Sequence, residues 1–140
     1  MSNYYAHSRS NYFKVKNVDE FKAFCDKIGV EMIKSMFDNE DNFVGFVCSL
    51  DAGGGGIPSS VYDKDTDVCT DFDICEEVSK HLLEGEVAVF IEISHEKLRY
   101  LAGNATAVNW KGEVEQITLN NIYEQAVENL GGNNVSRAEY

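Results

Sequence analysis

Between residues 11 and 130 the apolar side chains never hold one period for long, and this switching most constrains the fold. Asn11-Tyr-Phe-Lys-Val-Lys16 alternates in twos and predicts a half-buried strand with Phe13 and Val15 on one face. Phe21, Phe24, Cys25 and Ile28 then fall at i, i+3, i+4 and i+7, which predicts an amphipathic helix. Asn17 is its cap, with Glu20 reaching back, and Gly29 its stop. Val30 to Met36 and Phe43 to Leu50 are rich in strand formers around the turn-like Asp38–Asn42, so a hairpin follows. A second helix starts near Asp71 or Asp73, buries Ile74, Val78 and Leu82, and ends by Gly85. Val87 to Ile93, Arg99 to Trp110 and Glu113 to Ile117 read as strands, the last two reversed at Lys111-Gly112. A third helix is capped by Thr118, buries Leu119, Ile122, Tyr123, Ala126, Val127 and Leu130, and stops at Gly131-Gly132.

Strands joined mostly by short turns pair antiparallel, so the expected class is α+β: a mainly antiparallel sheet of five to six strands with three helices. The order of the first six elements matches a ferredoxin-like unit. Residues 1–10 and 131–140 lack apolar periodicity and read as tails around a single domain, residues 11–130. One long interruption stands out. Residues 51–71, with Gly53 to Gly56 and the sole proline, Pro58, read as a Gly/Asp-rich loop, a length often tied to function.

Charge is the second constraint. The chain of 140 residues carries −12, of which residues 38–86 carry −11, residues 1–37 +2 and residues 87–140 −3. Such a balance argues against direct nucleic-acid binding, which draws on summed positive charge. It points instead to an acidic surface for a basic protein partner, through Asp63, Asp65, Asp67, Asp71, Asp73, Glu76 and Glu77. Mimicry of nucleic acid is the extreme form of that idea. A solvated loop kept soluble by its charge is the plain alternative.

Metal and catalytic patterns fail on inspection. Asp63-Lys-Asp-Thr-Asp67 opens like a calcium loop, but Val68 stands where the glycine belongs and Ile74 where the closing glutamate belongs. Cys69 and Cys75 are wrongly spaced for a zinc knuckle or redox pair, and Cys25 and Cys48 sit in core patterns, so four reduced thiols and no cofactor are expected. His95-Glu96 lacks the second histidine of a zinc-protease helix. His81 reads as a charge placed to suit the end of the second helix. Gly53 to Gly56 lacks the Lys-Ser/Thr ending of a phosphate loop and reads as a hinge. Glu92 interrupts an apolar strand on the face of Ala88 and Phe90, and with Tyr100, Asn104 and Asn109 it is the candidate for a small-molecule or enzyme pocket, unless it pairs with Arg99.

No apolar stretch suits a secretory signal in Met1 to Ser10 or a membrane span elsewhere, so the expected setting is the cytoplasm, without membrane contact. Asn11 to Lys16 with its capped helix, and Gly85 to Ile93 through Leu98-Arg-Tyr-Leu101 to the last helix, resemble small acidic uncharacterised proteins of bacterial mobile elements. That resemblance implies an inhibitor of a nucleic-acid-handling enzyme, of the anti-restriction or anti-CRISPR kind, and assigns no residue a role. Three functions thus compete: a non-enzymatic acidic interaction protein, a small binding domain or enzyme around Glu92, and a homo-oligomeric accessory protein joined through its Tyr- and Phe-rich elements.

Overall fold

The computed structural model describes residues 4–35, 42–48, 55–96, 100–133, 135–136 and 138. The elements run β1 Tyr4–Ser10, β2 Phe13–Lys14, α1 Val18–Ile28, β3 Val30–Lys34, β4 Phe43–Cys48, β5 Ser60–Asp63, β6 Val68–Asp71, α2 Ile74–Ser79, β7 Val87–Glu96, β8 Tyr100–Asn109, β9 Val114–Thr118 and α3 Asn121–Leu130. Seven strands form one sheet in the order β2-β4-β1-β7-β8-β9, with β3 on the other side of β4, while β5 and β6 pair apart. Every pairing is antiparallel. The fold is α+β. Because β4 lies between β1 and β3, and β7 follows α2 to the far side of β1, the first part of the sheet has the split arrangement of a ferredoxin-like unit, which β8 and β9 widen.

The expected N-terminal tail is instead the middle of the sheet. β1 pairs with β7 from Tyr4↔Glu96 to Ser10↔Phe90 and meets β4 at Arg9↔Val47. Its alternation is real but small: Ala6, Ser8 and Ser10 are buried and His7 and Arg9 exposed. Crowded central strands favour such small residues, and a hydropathy pattern does not register them.

The predicted strand at 11–16 shrinks to β2, and Asn11 stays tied to β7 through its backbone N, which donates to Val89 O at 3.0 Å. Its side chain accepts from Val89 N at 2.8 Å and donates to Val87 O at 3.2 Å. Beside it, the Ser10 hydroxyl accepts from Phe46 N at 2.8 Å and donates to Asn11 O at 2.7 Å. Gly45 makes the kink possible, since a Cβ there would stand 2.5 Å from Asn11 O.

α1 forms as expected. The Asn17 side chain accepts from Glu20 N at 3.0 Å, and Gly29, at φ 82°, closes the helix in the left-handed region. Phe21, Cys25 and Ile28 face inward with Phe13, Val44, Phe46, Val78, Leu82, Phe90 and Val108. Phe13 meets Phe21 edge-on at 5.6 Å, and Phe46 lies 5.5 Å from Phe90. Each such ring removed from water contributes about 1.5–3 kcal/mol. The core therefore occupies one side of the sheet, under α1 and α2, with Ala88 and Phe90 of β7 and Val108 of β8 pointing into it.

The expected hairpin at 30–50 is β3 and β4, in register from Val30↔Cys48 to Lys34↔Val44; the turn at Asp38–Asn42 lies mostly outside the described residues. The long loop at 51–71 is corrected. Its second half is the β5–β6 hairpin, from Ser60↔Asp71 to Asp63↔Val68. α2 stops at Ser79, short of Leu82, which reaches the core from the next turn by bridging Val15. The largest correction is α3. None of its residues is buried, and Thr118 ends β9 instead of capping the helix.

Candidate functional site: an acidic cleft beside the inserted hairpin

The β5–β6 hairpin has a local cause. Asp65 N donates to Asp63 Oδ1 at 2.9 Å, the Tyr62 hydroxyl donates to the Asp67 carboxylate, and Asp67 takes φ 55°, a conformation aspartate tolerates. Holding its proton for Asp67 pushes the Tyr62 phenol above its ordinary value. The Asp-x-Asp-x-Asp run is thus a turn. No group of three or more His, Cys, Asp or Glu among the described residues is arranged to hold a metal ion.

After β6 the chain is tied back by Phe72 N, which donates to Ser59 O at 2.9 Å. Asp73 then caps α2, accepting from Cys75 N at 2.9 Å and Glu76 N at 3.5 Å. Glu76 and Glu77 occupy the first turn, where carboxylates suit the helix dipole, and Glu77 meets Lys80 at 3.3 Å.

Between this insertion and α1 lies a cleft of about 370 Å³, lined by Phe24, Lys27, Ile28, Val61, Asp63, Thr70, Asp71, Phe72 and Glu77. Of the acids chosen from sequence, the fold brings Asp63, Asp71 and Glu77 to this one cleft. Asp73 is spent on the cap, Asp65 and Asp67 lie in the hairpin turn, and Glu76 is exposed on α2. Asp38, Glu40, Asp41 and Asp51 lie outside the described residues. The apolar floor was hidden in a helix pattern. Phe24 belongs to the 3.6-residue series but flanks the core, half-buried, with Phe72 edge-on at 6.5 Å and the His81 ring at 5.2 Å.

His81 is not the charged helix-end residue the sequence implied. Burial among Phe21 and Phe24 pushes its pKa down; Glu20 and Glu77 pull it up, while Lys16 and Lys80 push it further down.

The second candidate, around Glu92, assembles only in part. Glu92 is half-buried on the inner face, directly across from Asn104 on one side and Ser8 on the other. Gly55 and Gly56 pack over it: Ser8 Oγ donates to Gly55 O at 2.6 Å, and a Cβ on Gly56 would stand 2.9 Å from Glu92 Oε1. These two glycines are therefore a packed crossing and not a free hinge; Gly53 and Gly54 lie outside the described residues. Burial, with Glu92 adding to it, pushes the Cys48 thiol up to about 11, and burial pushes Cys25 up to about 12.

Tyr100 and Asn109 stand at opposite ends of β8, paired with Glu96 and Val87. Asn109 is about 17 Å along the strand from Asn104 and on the other face. Its side chain accepts from Lys111 N at 3.0 Å and Glu113 N at 2.9 Å, so it builds the β8–β9 turn. Arg99, the expected partner of Glu92, lies outside the described residues. Among the described residues, no helix is long and apolar enough to cross a membrane.

Comparison with known proteins finds no family model, no curated protein and no solved structure that matches this chain.

Proposed function

We propose that this chain is a non-enzymatic interaction protein of the cytoplasm whose acidic cleft receives a basic segment of another protein. One observation carries the reading: Asp63, Asp71 and Glu77, three carboxylates against the single cation Lys27, line a cleft together with Phe24, Ile28, Val61 and Phe72, and among the described residues only Glu77 of the three is paired, with Lys80. A lysine or arginine suits such a place, because its aliphatic stem can lie along the rings while its cationic head meets the carboxylates. Arginine suits it better, since a planar guanidinium both stacks on rings and forks onto a carboxylate. Asp65, Asp67 and Glu76 stand outside the cleft and would steer the partner by long-range attraction. A basic surface that normally handles nucleic acid is the partner class this charge fits best, and occupying it would make the protein an inhibitor.

The test is binding of a fluorescent Arg-rich peptide, followed by anisotropy, at about 50 and 500 mM NaCl. The expected result is an affinity falling by tenfold or more with salt. The triple variant D63N/D71N/E77Q should lose binding at low salt while keeping the far-ultraviolet circular dichroism of the parent. Binding that ignores salt, or that survives in the folded triple variant, would overturn the proposal.

A further inference from the structure

The acidic cleft has a titratable ring against its wall. Phe24 lines the cleft together with Asp71, Phe72 and Glu77. His81 touches Phe24 without lining the cleft itself: the two rings lie 5.2 Å apart and are inclined by 32°. Phe21, from the core, meets the same imidazole edge-on at 5.5 Å. The backbone fixes the residue there, since His81 N donates to Val78 O and His81 O accepts from Lys16 N, both at 2.9 Å.

Four charged groups bear on this half-buried imidazole from the elements around it. Glu20 on α1 and Glu77 on α2 favour its protonated form, while Lys16, ahead of α1, and Lys80, at the end of α2, oppose it. Burial acts more strongly than any of the four and holds the ring mostly neutral at pH 7. Of these groups, Glu77 is also part of the cleft. One carboxylate is therefore shared between a protonated His81 and any cation seated in the cleft.

We infer that His81 makes the hold of the acidic cleft on its basic partner sensitive to pH, the partner being kept while the imidazole is neutral and loosened when it takes a proton. The inference rests on the reading of the cleft as the seat of a basic segment.

Two interactions carry the coupling. A guanidinium within the ~6 Å reach of a cation–π contact on Phe24 would stand on the order of 10 Å from His81. That is comparable with the Debye length of ~10 Å at 0.1 M salt, so an imidazolium there still repels it. In addition, a guanidinium on Glu77 neutralises one of the two carboxylates that help His81 hold a proton. Both effects have the same sign. The occupied cleft lowers the affinity of His81 for a proton, and by linkage the proton lowers the affinity of the cleft for its occupant by the same factor. Binding is thus at full strength above the His81 pKa of the free protein and weakens as pH falls through it. Because burial places that pKa below the ordinary 6.5, the change belongs to mildly acidic conditions.

The test uses the full chain at fixed low salt and two readouts. An Arg-rich peptide free of histidine, whose charge is constant between about pH 7.5 and 5.5, is titrated by anisotropy. The imidazole proton resonances of His81, assigned by their loss in His81→Gln, are followed by NMR with and without the peptide. The affinity of the parent should fall by about twofold or more over this range, and that of His81→Phe should hold. The peptide should lower the His81 pKa by roughly half a unit or more. Without peptide, Glu77→Gln should lower it too, because a supporting charge is gone. Should His81→Phe not fold, the NMR titrations of the parent and of Glu77→Gln decide the matter without it. A peptide that does not bind even at pH 7.5 overturns the reading of the cleft, and this inference with it. A peptide that binds the parent equally at both pH values, or loses affinity as much in His81→Phe, overturns the inference alone. So does a His81 pKa that neither the peptide nor Glu77→Gln moves.

Discussion

At the scale of single residues, small polar side chains govern the centre of this sheet. Ser8 and Ser10 are buried on β1, and each hydroxyl is committed: Ser8 to Gly55 O, Ser10 to Phe46 N and Asn11 O. Buried hydroxyls without partners would cost about 1–3 kcal/mol each, so these contacts are what let serine stand in a core strand. His81 is the residue whose ionisation the fold opposes. Its pKa is held below the ordinary value by burial, so the unfolded chain takes up a proton first as pH falls. Stability from this source is complete above the unfolded value near 6.5 and declines below it, toward the lower folded value. The urea midpoint of the parent should therefore fall between about pH 7.5 and 5.5. His81→Phe, which keeps a ring against Phe21 and Phe24, should flatten that decline. An equal slope in both proteins would show that His81 does not contribute.

At the scale of elements, sequence legibility followed side-chain size and locality. α1 could be read because its signals are local: Asn17 caps it, Gly29 ends it, and its inward face is three large apolar positions. β1 could not, because its described inward face is Ala6, Ser8 and Ser10, one small apolar side chain and two hydroxyls that give no apolar alternation. The β5–β6 hairpin was obscured by acids whose turn geometry depends on Tyr62 and on a left-handed Asp67. α3 was read correctly as amphipathic and wrongly as buried, since periodicity reports a stripe and not its cover. The cleft was half legible: its acids by composition, its aromatic floor only once Phe24 and Phe72 were seen to meet.

The same distinction gives a prediction about α2. Asp73 and Asp71 are near neighbours with different jobs, one accepting two backbone N–H groups and the other facing the cleft. Asp73→Ala should cost about 1 kcal/mol in denaturant unfolding, the usual loss for a helix cap. Asp71→Asn should leave stability within about 0.5 kcal/mol, as surface changes do. Equal losses would mean that Asp73 is not acting as a cap.

At the scale of the whole molecule, the net charge of −12 is arranged in layers: acids crowd the hairpin and α2, while the outer face of the sheet is mostly apolar. Carboxylates this close repel one another, and repulsion of this kind lowers the stability of the compact state. Among the described residues, two surface pairs that oppose it are weak. Lys22–Asp26 is largely exposed and Lys80–Glu77 partly so, at 3.3 Å each, and pairs at the surface contribute about 0–1 kcal/mol. Screening therefore removes more repulsion than attraction. Raising sodium chloride from about 10 to 300 mM shortens the Debye length from ~30 Å to under 10 Å, less than the span of the acidic segment. The melting temperature of the free protein should rise by a few degrees over that range at pH 7, and by clearly less in D63N/D71N/E77Q. The same salt that tightens the fold should loosen the peptide complex, because the carboxylates that repel each other in the free protein are those that would attract the partner. A melting temperature that falls with salt would mean that attractive pairs dominate after all, and that the acidic layer is already neutralised from within.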